Sequence, residues 1–247
     1  SRHAMNNIEV GICIVAGDNY LATRYAIENL IHKTEVKCKL YIYLNDNTDT
    51  RIKDFCYNLE PVRYIHESQY PVSLAEAKNT LMSAVKEKYI CYFPSNLIVG
   101  SFWLEMLLES YHNFLKPGII GIRKVSDDVY FGPIMRKSAT KDDYLSNVLI
   151  NDLNAVEGLI FFDRQLTEEV GEFDEIRNSG SYTDMAYSIR VAHLGYNNFY
   201  IRKQIALEID SIKDNFSLPI KNEEDTKVFR AWRIEFLKAK KAEYEKH

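Results

Sequence analysis

Short apolar runs alternate with helical patterns along the first hundred residues, and this alternation constrains the fold more than any other feature of the sequence. The first run, Glu9–Val15, is apolar almost throughout, which is typical of a strand covered on both faces in a parallel sheet. From Tyr20 onward apolar residues recur at helical spacing, and Lys39–Leu44 has the pattern of a second strand. These three segments predict a β-α-β unit.

The same alternation continues beyond the second strand. The predicted elements are a helix over Thr50–Leu59, a strand over Val62–Ile65, a helix over Leu74–Val85 and a strand over Tyr89–Phe93. Such a pattern predicts an α/β fold with a mostly parallel central sheet, helices on both faces, and ligands bound beyond the carboxyl ends of the strands. We therefore expect functional residues in the loops that follow Val15, Leu44 and Phe93.

The second half of the chain is less regular. Its predicted elements are a helix over Phe102–Phe114, strands over Ile119–Arg123 and Leu159–Phe162, a helix over Tyr182–Leu194 and a strand over Phe199–Ile201. Gly195 suits the end of the last helix because glycine readily adopts the conformation that a helix C-cap needs. A polar stretch separates the first two strands of this half.

From Glu223 the sequence is helical and carries one apolar stripe, formed by Val228, Phe229, Trp232, Phe236 and Leu237. An amphipathic helix of this kind usually packs on its own domain, and we expect that here. The alternative is a docking helix for a partner, a following domain or a membrane surface, with Lys240 and Lys241 available for contact. The predicted division is a main domain over residues 6–215 and a C-terminal helical extension over residues 216–247.

The composition favours one globular core and excludes some partners. Of 247 residues, 46% are hydrophobic and 27% are charged, which is enough apolar material for a core of this size. The net charge of −4, without a basic stripe interleaved with aromatics, gives no attraction for nucleic acid. The four cysteines show no C-x-x-C spacing, so we expect reduced, buried thiols rather than a zinc site.

Four parts of the sequence contain recognisable motifs. The first three are Val10–Asn19, a strand with its turn; Tyr43–Asp49, a strand ending in Asn45-Asp46; and Ser73–Asn79, at the start of a helix. The fourth is spread over Ala155–Arg164, Val170–Glu175, Tyr182–Asp184, Arg190 and Gly195-Tyr196. Together they cover roughly residues 8–210 and resemble the motifs of the inverting family 2 glycosyltransferases, whose fold is called GT-A.

The resemblance implies a nucleotide-sugar donor at the strand ends, bound by Ala16, Asp18, Asn45, Asp46, Lys78, Ser95 and Asn96. Asp46 matches the acidic residue that holds the base, where a carboxylate can accept the ring N–H of uracil. Its alternative role is an Asx turn between strand and helix. Lys78 matches an arginine near the diphosphate, where a cation would offset leaving-group charge. Otherwise it is a solvated helix residue.

Asp184 matches the general base of the family, the Asp of a Glu-Asp pair, with Thr183 in place of the Glu. An inverting transfer needs a group that takes the proton of the attacking hydroxyl, and a carboxylate within hydrogen-bond reach can do so. The alternative is that Asp184 serves as a first-turn or capping residue of the predicted helix, where a negative charge is favoured.

The motif that holds the metal in this family, Asp-x-Asp after the fourth strand, reads Pro94-Ser95-Asn96 here. Mg²⁺ and Mn²⁺ prefer carboxylate oxygens, so we expect weak metal affinity through this loop. One possibility is a cation held mostly by the diphosphate, with Asn96 and Asp210 as its protein ligands. A second is replacement of the metal by a basic side chain, with candidates Lys78, Arg136, Lys137, Arg202 and Lys203. A third is a domain that binds without turnover.

The resemblance therefore implies a UDP-sugar-dependent glycosyltransferase acting with inversion on a glycan or lipid-linked glycan, as in polysaccharide biosynthesis. The alternative is a catalytically silent nucleotide-sugar-binding or scaffold domain of a larger glycan-synthesis protein. A nucleotidyltransferase is disfavoured, because no Gly-rich, basic loop follows the first strand. The sequence contains no apolar stretch of about 20 residues and no signal-peptide pattern. We expect a cytoplasmic protein, with the C-terminal helix available for peripheral contact with the inner face of a membrane.

Overall fold

A computed structural model describes residues 10–125, 135–137, 148–151, 154–209 and 223–244. Strands and helices alternate in the first half, as predicted. These elements are β1 (Val10–Val15), α1 (Tyr20–Lys33), β2 (Cys38–Leu44), α2 (Thr50–Tyr57), β3 (Val62–Glu67), α3 (Leu74–Ala84) and β4 (Tyr89–Tyr92). There follow β5 (Leu97–Ile98), α4 (Trp103–Asn113), β6 (Pro117–Val125), β7 (Met135–Lys137), β8 (Val148–Asn151), β9 (Leu159–Asp163), α5 (Leu166–Val170), α6 (Thr183–His193), β10 (Asn197–Glu208) and α7 (Glu223–Tyr244).

The strands of the described residues form one mixed sheet in the order β3-β2-β1-β4-β9-β6-β10-β8-β7, with β5 paired to β10. β1 lies between β2 and β4 and is parallel to both. β9 is antiparallel to both β4 and β6, so β6 runs in the direction of β4. β10 is parallel to β6 and therefore shares that direction. The predicted α/β sheet flanked by helices is confirmed, with antiparallel pairing concentrated in the second half.

Each face of the sheet carries its own apolar core. On one face Ile27 of α1, Ile52 of α2 and Leu107 of α4 are buried against the strands. On the other face the strands are covered by Leu81 of α3 and Tyr187 of α6. Because successive strand residues point to opposite faces, strands covered on both sides read as continuous apolar runs in the sequence. Cys13, Cys56 and Cys91 are buried within these cores, as predicted, whereas Cys38 is partly exposed at the start of β2.

The last strand of the sheet is much longer than predicted. The sequence predicts Phe199–Ile201, whereas β10 extends to Glu208. Its pairing with β6 shifts register between Ile201 and Ile205, which marks a bulge or irregularity. Such an irregularity interrupts the alternation of side chains, and here it coincides with the polar residues 202–204. The extension matters because it carries Glu208 to the end of the sheet.

The C-terminal helix packs on the main domain, as predicted. Phe229 and Trp232 are each 5% exposed and contact Met185 and Ile189 of α6. The ring of Phe229 stacks on Tyr182 with 4.4 Å between centroids. Further along the helix the apolar side chains of Ile234 and Leu237 are exposed. The predicted boundary between residues 215 and 216 lies outside the described residues.

We expect Trp232→Ala to lower the free energy of unfolding by about 3 kcal/mol, because it removes a large buried side chain and leaves a cavity. Urea denaturation followed by circular dichroism measures this change. Ile234→Ala on the same helix is the matched control, since an exposed side chain changes stability by less than about 0.5 kcal/mol. Equal effects of the two substitutions would contradict the observed packing.

Candidate active site

The carboxyl ends of six strands lie at one edge of the sheet, because β1, β2, β3, β4, β6 and β10 all run in the same direction. The chain changes direction across the sheet at β1. α1 and α2 cover one face, and α3 covers the other before the chain enters β4 on the far side of β1. Between β1 and β4 the edge therefore opens into the kind of crevice where open α/β sheets bind ligands.

The turn after β1 lies at this crevice. Ala16 is buried, and its backbone N–H donates to the carbonyl of Tyr43 on β2 at 2.9 Å. Asn19 begins α1 by accepting the N–H of Ala22 at 3.0 Å. Asp18, between them, is exposed at the surface, although nearby protein atoms remove some of the water around its carboxyl and so raise its pKa above the usual value. The predicted residues Ala16 and Asp18 thus sit at the edge.

Two acidic residues, Asp46 and Asp49, follow β2, and they have different surroundings. Asp49 caps α2, accepting the backbone N–H of Arg51 at 2.8 Å, and hydrogen bonds from Arg51 hold the pKa of Asp49 below its usual value. Asp46 is exposed at the edge. The cap of α2 is therefore made by Asp49 and not by Asp46. Asn45 lies beside it, with an Oδ1 that is buried and makes no hydrogen bond within the described part of the chain.

Two predicted site residues meet in a buried ion pair. The ammonium of Lys78, on α3, contacts Oδ1 of Asp184, on α6, although 106 residues separate them. The other oxygen of Asp184 accepts the backbone N–H of Gly158 at 3.0 Å. The two side chains are only 8% and 12% exposed. The carboxylate of Asp184 therefore bonds outside its own helix instead of capping it.

Aromatic rings enclose the ammonium of Lys78. It lies 5.2 Å from the ring centroid of Tyr92 and 5.5 Å from that of Phe173. The hydroxyl of Tyr92 donates to the backbone carbonyl of Lys78 at 2.8 Å, which ties the strand to α3. A cation over ring faces is stabilised by their electron density, and more strongly when water is excluded. This enclosure could not be predicted from the sequence, because its members lie on separate elements.

The segment before α6 is held in place by side chains of the third and fourth motifs. Asn79 donates to the carbonyl of Phe173 at 3.0 Å and accepts the N–H of the same residue at 2.8 Å. Arg190 donates to the carbonyl of Glu172 at 2.7 Å. Thr183, where the resemblance expects a Glu, is buried and donates to the carbonyl of Asn178 at 2.7 Å. These bonds position the helix that carries Asp184.

The loop after β4 brings Asn96 to a carboxylate that the sequence analysis missed. Nδ2 of Asn96 donates to Oε1 of Glu208 at 3.3 Å, and the backbone carbonyl of Asn96 accepts the N–H of Ile209 at 2.8 Å. Ser95, partly buried, precedes it in this loop. A longer prediction for β10 would have placed Glu208 at the edge.

Several predicted residues cannot be placed. Asp210, the expected second metal ligand, lies outside the described residues, as do the side chains of Arg136, Lys137 and Lys203. Arg202 is described and exposed. Within residues 10–125, 135–137, 148–151, 154–209 and 223–244, no three His, Cys, Asp or Glu side chains group closely enough to hold a metal. In the same ranges no helix is both long and apolar enough to cross a membrane.

No protein-family model matches the sequence, and no curated protein sequence matches it either. Solved structures do match. GalNAc-T7 with UDP, GalNAc and Mn²⁺ superposes with a TM-score of 0.65 at 10% identity over 81% of this chain. TarS residues 1–349 from S. aureus, in complex with UDP-GlcNAc, gives 0.64 at 8% identity over 85%. The mannosyltransferase PcManGT from Pyrobaculum calidifontis, with GDP-Man and Mn²⁺, gives 0.60 at 12% identity over 83%.

These similarities confirm the fold predicted from the sequence. The chain has the α/β architecture of GT-A glycosyltransferases, with a central sheet flanked by helices. At 8–12% identity the comparison establishes similarity of fold and nothing about function. The matched part covers 44%, 62% and 57% of the three neighbouring chains, in the order given, so this chain spans about half to three fifths of their length.

We expect Lys78→Met to lower the free energy of unfolding by about 3 kcal/mol, because it leaves the carboxylate of Asp184 buried without its partner. The double variant Lys78→Met/Asp184→Asn should recover most of this loss, since no lone charge remains. Urea denaturation measures both. Lys86→Met, at an exposed lysine near the opposite edge, is the control. A double variant no more stable than Lys78→Met would count against the ion pair.

Proposed function

We propose that this chain is a glycosyltransferase of the inverting family 2 type, which moves a sugar from a nucleotide-sugar donor to an acceptor hydroxyl. The observation that carries the proposal is the Lys78–Asp184 pair, at the carboxyl edge of a GT-A-type sheet. Solved structures with this fold include complexes with UDP, UDP-GlcNAc and GDP-Man. On the family resemblance, we propose a glycan or lipid-linked glycan as acceptor and the cytoplasmic face of a membrane as its location.

In the proposed reaction, the acceptor oxygen attacks the anomeric carbon from the face opposite the diphosphate. A carbon–oxygen bond forms to the acceptor, and the bond to the β-phosphate oxygen breaks with its electron pair leaving on the nucleoside diphosphate. Asp184 takes the proton of the acceptor hydroxyl. Direct displacement with this geometry inverts the configuration of the sugar.

The surroundings of Asp184 suit a general base. A carboxylate has about four lone-pair directions, so the bonds from Lys78 and Gly158 leave capacity for an acceptor hydroxyl. The ammonium of Lys78 balances the charge of the carboxylate in a setting with little water, and the N–H of Gly158 fixes its orientation. A carboxylate held at both oxygens is pre-organised, which lowers the cost of reaching the reactive geometry.

We expect Asp184→Asn to lower the release of nucleoside diphosphate from a donor by about 10²- to 10⁴-fold, because an amide cannot accept the hydroxyl proton. Donor binding should survive. The assay mixes the protein with UDP-glucose, UDP-GlcNAc and GDP-mannose in turn, with acceptor glycans, and follows both binding and free diphosphate. Circular dichroism checks that the variant is folded.

Asp163→Asn, at the other end of β9, is the matched control, because Asn can replace Asp in its hydrogen bond to the N–H of Gln165. It should leave turnover unchanged. Binding of a donor without release by the unaltered protein would favour the second candidate, a silent nucleotide-sugar-binding domain. That candidate is favoured by one observation, the amide of Asn96 in place of an acidic residue after β4.

For the donor base we propose uridine, with the ring N–H of uracil donating to the exposed carboxylate of Asp46. A hydrogen bond to a charged group contributes about 1.5–3 kcal/mol, so Asp46→Ala should weaken UDP binding by about tenfold or more. Isothermal titration calorimetry with UDP and with GDP measures both affinity and selectivity. Asp54→Ala, at an exposed position on α2, is the control. Tighter binding of GDP than UDP would contradict the uridine assignment.

A further inference from the structure

A second charged pair lies at the carboxyl edge, where β6 and β10 end. Nζ of Lys124 is 3.5 Å from Oε1 of Glu208, and the same carboxylate oxygen accepts the amide N–H of Asn96 at 3.3 Å. The side chain of Lys124 is 27% exposed and that of Glu208 is 14% exposed. Asn96, Glu208 and Lys124 therefore form one cluster, in which Glu208 links an ammonium to the loop where the resemblance expects a metal.

This cluster flanks the edge on the face opposite the Lys78–Asp184 pair. Ile122 and Ala206, two residues before Lys124 and Glu208, belong to the core beneath α1 and α4. Residues two apart on a strand point to the same face. Tyr92, beneath Lys78, belongs to the core of the other face. A ligand lying across the strand ends would thus have one lysine at each side.

The cluster does not fit a divalent metal. Two of the neighbouring structures hold Mn²⁺. Such hard cations need several oxygen ligands, and carboxylates above all. Here the single carboxylate of Glu208 already faces an ammonium and an amide N–H, and a divalent cation beside Lys124 would meet a like charge. One paired carboxylate and the neutral Oδ1 of Asn96, which is buried without a hydrogen-bond partner in the described part of the chain, fall short of the several oxygen ligands that such a site needs.

We propose that Lys124 supplies the positive charge that binds the donor diphosphate, so that nucleotide binding by this chain does not depend on a divalent cation. The inference rests on the proposed function. An ammonium has three donors, so contact with Glu208 leaves two for phosphate oxygens. A lysine binds phosphate as a compact point charge. Glu208 acts as a positioning residue, and Asn96 orients the carboxylate of Glu208.

The test measures the affinity for UDP by isothermal titration calorimetry, in EDTA and in Mn²⁺. The unaltered protein should bind UDP equally well in both. Lys124→Met should weaken binding by about tenfold or more in both, since a charge-assisted hydrogen bond is lost. Lys124→Arg should retain most of the affinity, and Lys86→Met should not change it. Binding that requires Mn²⁺, or an unaffected Lys124→Met variant, would overturn the proposal.

Two variants that alter Glu208 distinguish the effect of Lys124 on UDP binding from that of Glu208. Lys124→Met also leaves a bare carboxylate near the phosphates, whereas Lys124→Met/Glu208→Gln removes both charges. The double variant should still bind UDP weakly, and a full recovery would assign the effect to Glu208 and overturn the inference. Glu208→Gln alone should weaken UDP binding less than Lys124→Met does, and equally in EDTA and in Mn²⁺, because the ammonium stays and loses only the carboxylate that positions it. If Glu208→Gln weakens binding in Mn²⁺ only, Glu208 is a metal ligand and the inference is wrong.

The result with the unaltered protein also distinguishes the two proposals. Absence of binding to UDP, GDP and their sugars, with and without Mn²⁺, overturns the proposed function and the role of Lys124 together. Binding that appears only with Mn²⁺ supports nucleotide recognition and overturns the role of Lys124 alone. Should Lys124→Met fail to fold, the comparison of EDTA with Mn²⁺ and the Glu208→Gln variant still decide between the outcomes.

Discussion

Parallel pairing of β1 with both β2 and β4 is the constraint on which the rest of the structure depends. It forces α1 and α2 to one face and α3 to the other, and so separates the loops after Val15 and Tyr92 at the middle of the sheet. Backbone bonds fix this arrangement, including the one from Phe93 N to the carbonyl of Cys13 at 2.9 Å. Every group proposed for function is then delivered to one edge by the direction of a strand or by a helix packed beside it.

Several residues of the motif segments make structural hydrogen bonds to the backbone. Asn79 and Arg190 are bonded to the backbone of residues 170–173, and Thr183 to the backbone of the loop before α6. A side chain that satisfies buried backbone groups cannot be exchanged freely, because each group left without a partner costs about 1–3 kcal/mol. The pattern that resembles a catalytic motif is therefore largely the scaffold that orients one carboxylate.

The sequence predicted the first half of the fold well, because a strand buried on both faces is visible as an apolar run such as Glu9–Val15. It did not predict β5, which is two residues long and has no periodicity to detect, or the short helix α5. The strand predicted for β10 was too short, because polar residues at the irregularity interrupt the apolar pattern. The motifs placed Asp184 and Lys78 at the edge. Their contact could not be predicted, because it joins elements 106 residues apart through tertiary packing.

The packing of α7 on α6 supports the helix that carries Asp184. Phe229 and Trp232 press on the side of α6 that faces away from the sheet, just beyond the turn where Asp184 projects. A protein shortened before residue 223 would keep the charged side chains at the carboxyl edge. It would lose the packing of Phe229 and Trp232 against the helix that carries Asp184. The support behind the helix that carries that carboxylate therefore comes from a segment that lies far away in the sequence.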